Sequence, residues 1–324
     1  MFNIPHIKDS FSTFYSATYT QEYLYHCYRE KDLPEAEKKS FENCYPFIYY
    51  LEHSQNYYNV GFNAPLAIKP MLLFYGMTQL LKACLLTIDC DYPHNTSVLA
   101  HGVSTRKRKK QSYDFLDDEV KVQKHGLFSH IGQVMFHVEQ LEGNKYSMFH
   151  LLSLIPELSS LFMEYQKEPT CFKISTCLED TFQFPNFVLD QYHMSQDRFC
   201  TYLQEKTGLP FKHLRNEGDC LMFYLDQQID LNFCSPLMYH LYDQGYYFPF
   251  NRERIDYFPE ILSHYLLLYN LSMISRYETE WWYELLHTYT SNDFPFISKF
   301  LSISGEKIPY LLSDFLENKK RLVI

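Results

Sequence analysis

The chain has 324 residues, of which 46% are apolar and 21% charged, and it carries a net charge of −10. These values exclude a disordered or low-complexity chain, and the acidic balance argues against broad electrostatic binding to nucleic acid. The length exceeds the roughly 100–200 residues of a usual single domain, so we expect two closely packed parts.

Residue usage also predicts the compartment and an interface. The 29 tyrosines suit half-buried faces and favour a homodimer formed through a Tyr-rich surface. Nine cysteines without a Cys-x-x-Cys spacing indicate free thiols in a reducing compartment. The N-terminus lacks the pattern of a signal peptide, and the apolar stretch from Met71 to Ile88 contains Gln79 and Lys82, which favours a buried helix over a membrane span. We therefore predict a cytoplasmic protein without a membrane segment.

The N-terminal third has the apolar spacing of helices. The spacing predicts helices over 10–30, 35–58 and about 64–87, and the last is apolar almost all round, as expected at the centre of a bundle. No period survives over 89–111, which predicts a long surface loop.

The remaining two thirds mix short strands with helices. We predict strands over 119–124, 132–139, 171–178, 187–192 and 220–225, and helices over 147–165, 196–207, 264–275, 278–289, 294–302 and 307–318. The expected fold is a predominantly α-helical α+β protein, in which a helical bundle carries a small mixed α/β insert. The parts are an N-terminal helical part over 1–165 with the basic loop at 89–111, the insert over 166–250, and a C-terminal helical part over 251–324 that packs on the N-terminal helices.

Motifs of familiar enzymes are missing. The sequence has no G-x-G-x-x-G, no P-loop, no G-x-S-x-G and no His-Glu-x-x-His. His125, His130 and His137 lie close together, but no carboxylate pairs obviously with all three, and they read as ordinary structural histidines. We therefore predict no catalytic residues, no metal site and no cofactor.

A run of five cations is the sharpest local feature. Like charges repel, so a phosphate-bearing partner would relieve the cost of placing them side by side, and a flanking tyrosine could stack on a base. The alternative is a solvated loop tip without a ligand. The tentative anion or nucleotide site consists of His101, Arg106, Lys107, Arg108, Lys109, Lys110 and Tyr113.

A second candidate site lies nearer the C-terminus. Its members are Arg252, Arg254 and Arg276, the last of which precedes the pair Trp281-Trp282. Adjacent residues of a helix point in different directions, so only one of the two tryptophans can face the core. The alternative for these arginines is helix-junction packing with local ion pairs.

Two blocks of the sequence resemble a known family. The segment from Asn56 to Gly76, continued by Leu80–Ala83, and the segment Tyr269–Tyr277 followed by Trp281-Trp282 are similar to the YaaC-like family of Bacillus-type bacteria. Genes of that family commonly lie beside the gene for IMP dehydrogenase. The resemblance therefore implies a non-enzymatic regulator of purine nucleotide metabolism that interacts with IMP dehydrogenase, and it brings no catalytic residues.

Two alternatives stay open beside that regulator. The pattern Lys69-Pro70-x-Leu72-x-x-Tyr75 with Leu81-Lys82-Ala83 also resembles helices of the HEPN superfamily, which includes ribonuclease toxins. Such a toxin or phage-defence nuclease would depend on His101 or His125, although no arginine here has the Arg-x4–6-His spacing of those enzymes. The other alternative is a structural helical scaffold.

Overall fold

The computed structural model of the chain describes residues 11–105, 113–178, 180–252, 259–289 and 291–321. The chain divides into a first unit, Met1–Phe149 with His264–Ile324, and a second unit, His150–Ser263. Helices dominate and two small antiparallel sheets accompany them, which confirms the predicted α+β class with a predominance of helix.

The helices of the described residues are numbered in chain order. They are α1 Ala17–Glu30, α2 Ala36–Phe62, α3 Lys69–Leu86, α4 Leu127–Val134, α5 Met148–Ser153, α6 Ser159–Gln166, α7 Phe187–Tyr192, α8 Gln196–Thr207, α9 Glu260–Tyr277, α10 Thr279–Thr288 and α11 Asp293–Arg321. Short 3-10 turns cover Ser12–Tyr15, Thr96–Leu99 and Pro156–Leu158.

The strands form one sheet in each unit. They are β1 Val103–Thr105, β2 Glu119–Val122, β3 Lys145–Ser147, β4 Cys171–Leu178, β5 Thr181–Pro185, β6 Lys212–Glu217, β7 Cys220–Tyr224, β8 Met238–His240 and β9 Gly245–Pro249. The first unit holds the antiparallel sheet β1-β2-β3, and the second holds the antiparallel sheet β6-β7-β5-β4-β9-β8.

The N-terminal helices follow their local signals. Ser16 caps α1 by accepting a hydrogen bond from the amide of Tyr19, and Pro70 occupies the first turn of α3, where its missing N–H costs nothing. Helix α3 is buried on most sides and packs against α2 and α11. This position confirms the prediction of a central helix.

Several predicted elements differ from the structure in type or in extent. The predicted strand over 132–139 begins inside α4, because Phe128 and Ile131 are spaced for one buried helical face. The predicted strand over 187–192 is helix α7. The predicted loop over 89–111 contains β1, whose three residues are too few to show a period. The two predicted C-terminal helices are one continuous helix, α11, which accommodates Pro309.

The second unit has an aromatic core beneath its sheet. Phe184, Phe199, Phe223 and Phe248 are fully buried and meet largely edge to face at centroid distances of 5.4–6.0 Å. Edge-to-face rings add about 0.5–1.5 kcal/mol per pair beyond the area they bury. This core holds the sheet of the second unit against α7 and α8 through ring packing.

Two further findings concern the described residues. None of their helices has both the length and the apolar content that crossing a bilayer demands. Eight cysteines are free, and most of them are buried.

Candidate functional site

His101 lies in the loop just before β1, and its backbone is fixed from two sides. Its carbonyl oxygen accepts a hydrogen bond from the amide of Phe128, at 3.2 Å, and one from the hydroxyl of Tyr265, at 2.9 Å. Phe128 belongs to α4 and Tyr265 to α9. The position of His101 is therefore set by helices from both ends of the sequence.

Two glycines allow this loop to pack against the start of α4. Gly126 has φ +134° and ψ 175°, a region that essentially only glycine occupies. A Cβ atom on Gly126 would collide with the backbone of Gly102 and would lie 2.9 Å from the carbonyl oxygen of Ala100. That same carbonyl accepts a hydrogen bond from the amide of Leu127, at 2.7 Å. The loop carrying His101 thus depends on backbone contact that any side chain here would prevent.

Aromatic rings surround the imidazole of His101. Its ring centroid lies 5.0 Å from that of Phe74, 6.2 Å from that of Tyr75 and 5.8 Å from that of Tyr269. The histidine is half-buried, whereas Phe74 is fully buried and Tyr269 is 7% exposed. The rings therefore form a floor beneath a polar group that stays accessible from one side.

Arg276, near the end of α9, contacts the same floor. Its Nε donates to the carbonyl oxygen of Ser272, at 2.9 Å, and its Nη1 lies 3.5 Å from the hydroxyl of Tyr75. Its Nη2 lies 3.2 Å from the sulfur of Met273. Within the described ranges, no carboxylate forms an ion pair with this guanidinium. Arg276 therefore keeps a charge that its neighbours do not neutralise.

Lys82 of α3 adds a third group of the same sign. Burial lowers the pKa of Lys82, whose ammonium lies 5.6 Å from the ring centroid of Tyr50. Burial also lowers the pKa of His101, and the positive charges of Arg276 and Lys82 lower it further. We call Lys82, His101 and Arg276 the cation cluster. Arg276 and Lys82 disfavour the charged form of His101, so an anion bound beside this histidine would favour that form.

More rings extend outward from this cluster. The ring of Tyr75 stacks on that of Tyr57 at 5.6 Å, and Tyr57 stacks on His53 at 4.8 Å. The guanidinium of Arg276 lies 5.2 Å from the ring centroid of Tyr277, which is 66% exposed. Partly exposed rings next to cations suit a ligand that has both a flat ring system and a negative charge.

The structure separates the sequence-predicted residues into three sets. It brings His101 and Arg276 together, although they belonged to different predicted sites. Tyr113 instead packs edge-on against Trp281 at 4.7 Å, and Arg252, in the second unit, lies 5.8 Å from the ring centroid of Tyr202. Arg106, Lys107, Arg108, Lys109, Lys110 and Arg254 lie outside the described residues. The tryptophan prediction is confirmed, since Trp282 is fully buried and Trp281 is not.

A separate cavity of about 290 Å³ lies among α2, α3 and α11. Tyr58, Gln55 and Glu306 are among its lining residues, and none of the cation cluster is. Glu306 is the one charged residue among the described residues of the lining, and burial raises its pKa. A carboxylate repels phosphate, so this cavity is unsuited to the anionic ligand that the cation cluster would accept.

Sequence reasoning missed another group of titratable residues. His94 and His130 both direct Nε2 at the same carboxylate oxygen of Asp89, at 2.9 and 2.8 Å. The sequence had instead suggested comparing His130 with His125 and His137. The only sequence signal for the observed group is the short spacing between Asp89 and His94.

The comparisons agree with the resemblance seen in the sequence. Residues 12–316, nearly the whole chain, match the model of the family described as YaaC-like Protein. No curated protein and no solved structure matches the chain. The chain therefore belongs to the YaaC-like family.

Proposed function

We propose that this protein is a non-enzymatic, cytoplasmic regulator that binds a phosphate-bearing purine nucleotide at the cation cluster and interacts with IMP dehydrogenase. The observation that supports ligand binding best is the position of His101 and Arg276 around the ring of Tyr75, with no carboxylate of the described residues paired to Arg276. The charge of Lys82 also acts on His101. The partner follows from the gene neighbourhood of the family to which the chain belongs.

Electrostatics favour an anion over a neutral ligand. Lys82 is substantially buried and His101 is half-buried, so each pays a desolvation cost in its charged form. The chain has a net charge of −10, so overall composition does not explain a local group of positive side chains. A phosphate would accept charge-assisted hydrogen bonds from Arg276 and restore the charged form of His101.

The rings favour an aromatic base attached to that phosphate. The ring of Tyr277 is 66% exposed and lies beside the guanidinium of Arg276, at 5.2 Å from its centroid. Stacking of a base on an aromatic side chain contributes about 1–3 kcal/mol and tolerates different bases. The arrangement therefore supports the nucleotide class, whereas the identity of the purine rests on the family context.

Calorimetric titration of the purified full chain tests the ligand. The probes are GMP, GTP, AMP, ATP and inorganic phosphate. We expect a purine nucleotide to bind and Arg276→Gln to weaken it about 10–100-fold, because a hydrogen bond to a charged group contributes about 1.5–3 kcal/mol. Arg215→Gln is the matched control, since Arg215 is exposed and pairs with Glu217 at 3.0 Å in the second unit. Absence of heat from every nucleotide, or equal weakening by both variants, would overturn the proposed site.

Affinity capture tests the partner separately. Tagged full-length protein should retain purified IMP dehydrogenase from the same bacterium, and the amount retained should change when the bound nucleotide is added. Failure to retain the enzyme both with and without nucleotide would reject this partner. The result of the ligand titration would not be affected by that failure.

A further inference from the structure

Three potential metal ligands from two segments of the first unit converge on one point. Asp89 and His94 lie in the loop that follows α3, and His130 belongs to α4. The Nε2 atoms of both histidines approach the same Oδ2 of Asp89, at 2.9 and 2.8 Å. The three ligand atoms all lie within 4.8 Å of one another.

Two of these ligands are held in place by the fold. The amide of Asp89 donates to the carbonyl oxygen of Leu85, at 2.8 Å, and the amide of His130 donates to that of Gly126, at 3.0 Å. The ring of Tyr92 stacks on His130 at a centroid distance of 5.7 Å and an interplanar angle of 24°. The side chains of Asp89 and His130 are only 10% and 13% exposed. The position of this pair is therefore fixed before any ion arrives.

The third ligand supplies access. The His94 side chain is 48% exposed, so it can swing to admit an ion and then close on it. Zinc–nitrogen and zinc–oxygen bonds measure about 2.0–2.2 Å, which places tetrahedral ligand atoms about 3.3 Å apart. The observed separations from Asp89 are a few tenths of an ångström shorter than that. A small outward movement of His94, with a lesser one of the Asp89 carboxylate, reaches the required geometry.

We infer that Asp89, His94 and His130 bind a divalent transition-metal ion of the Zn²⁺ type. Two imidazoles and one carboxylate suit zinc and its neighbours, whereas Mg²⁺ and Ca²⁺ prefer sites made of oxygen alone. Three protein ligands leave a coordination position for water or for an exchangeable ligand. The site is separate from the cation cluster in its residues and in its charge.

The competing interpretation is a purely hydrogen-bonded group. In that arrangement each Nε2 carries a proton and donates it to Oδ2 of Asp89, and no metal is involved. A metal ion would take the place of the proton on each Nε2, and that proton would move to Nδ1 of the same neutral imidazole. Direct metal titration separates the two interpretations.

The test uses the full chain after removal of metals by a chelator. Zn²⁺ is titrated by calorimetry, and Co²⁺ is added as a probe whose visible absorption reports tetrahedral coordination by the protein. We expect one ion per chain, with submicromolar affinity for Zn²⁺. His94→Gln should weaken binding at least tenfold, and because His94 is largely exposed this variant should keep the circular dichroism of the wild type.

His125→Gln is the matched control. His125 is exposed and close to His130 in sequence, but it is not a member of the converging group. The affinity of the His125→Gln variant for Zn²⁺ should equal that of the wild type. Absence of Co²⁺ absorption, less than one bound ion per chain, or equal affinities for His94→Gln and the wild type would each overturn the inference. His130→Gln provides a second variant, which should lose binding as well.

Discussion

Replacement of Gly126 by alanine tests whether backbone contact positions the loop that carries His101. Gly126 has φ +134°, which costs a residue with a side chain about 1–3 kcal/mol. Its new Cβ would also collide with the backbone of Gly102, so the loop would have to move away. That movement threatens the hydrogen bonds to the carbonyl oxygens of Ala100 and His101, each contributing about 0.5–1.5 kcal/mol. The expected loss in free energy of unfolding is about 2–6 kcal/mol.

Gly143→Ala separates the contact from the backbone conformation. Gly143 also has a positive φ, +80°, but nothing lies within 4 Å of a Cβ placed there. This variant should lose only about 1–2 kcal/mol, the cost of the left-handed region. Urea unfolding followed by tryptophan fluorescence suits both variants, because Trp281 and Trp282 belong to the first unit. Equal losses for the two variants would refute the argument that loop contact requires Gly126.

Further predictions concern the tryptophans, the pH dependence of binding and RNA. Trp282→Phe should lose about 2–4 kcal/mol in free energy of unfolding, since Trp282 is fully buried and its indole N–H donates to the carbonyl oxygen of Ala67 at 3.1 Å. Trp281→Phe should lose less than about 1 kcal/mol. Circular dichroism in urea measures both losses, and a larger loss for Trp281→Phe would contradict the observed burial. The pKa of His101 is held below its ordinary 6.5 by burial and by nearby cations, and a bound phosphate would raise it. At a pH between the pKa of His101 in the free protein and its pKa in the complex, binding of the nucleotide takes up a proton, so nucleotide affinity should rise as the pH falls through this range. Calorimetry should find a shallower pH dependence of the affinity in His101→Gln than in the wild type. An identical dependence in both proteins would exclude His101 from the ligand's surroundings. Purified protein should leave RNA intact on gel electrophoresis with and without divalent metal, and cleavage that His101→Gln abolishes would favour the HEPN-like nuclease instead.

Helices could be predicted where apolar spacing is long enough to show a period. The apolar residues of α3 made its central position evident, and Ser195 and Gly208 marked the ends of α8, although the Ser195 side chain makes no capping hydrogen bond. Strands such as β3 and β8 were not predicted, because three residues are too few to show an alternation of buried and exposed side chains. The pairing of such short strands depends on distant partners, which a local pattern does not reveal.

The sequence indicated individual residues of the candidate site, but it did not predict which of them lie together in the folded chain. His101 and Arg276 each drew attention locally, yet only the packing of α9 against α3 and the loop before β1 brings them together. Lys82 was noted merely as a charge inside an apolar helix. Its charge acts on His101 in the folded chain, a relation that no local sequence pattern reports. The group at Asp89 escaped for a similar reason, because His94 and His130 meet only after α4 folds back.

The interruption of the first unit by the second has a consequence for biosynthesis. Lys82 and His101 are synthesised early, whereas Arg276 follows only after every residue of the second unit has been added to the chain. A nascent chain therefore holds an incomplete cluster until α9 has been synthesised. Until then Tyr75 lacks its contact with Arg276. Termination between His101 and α9 yields a product that retains two of the three groups and lacks Arg276. The complete cluster therefore exists only in chains that extend through α9.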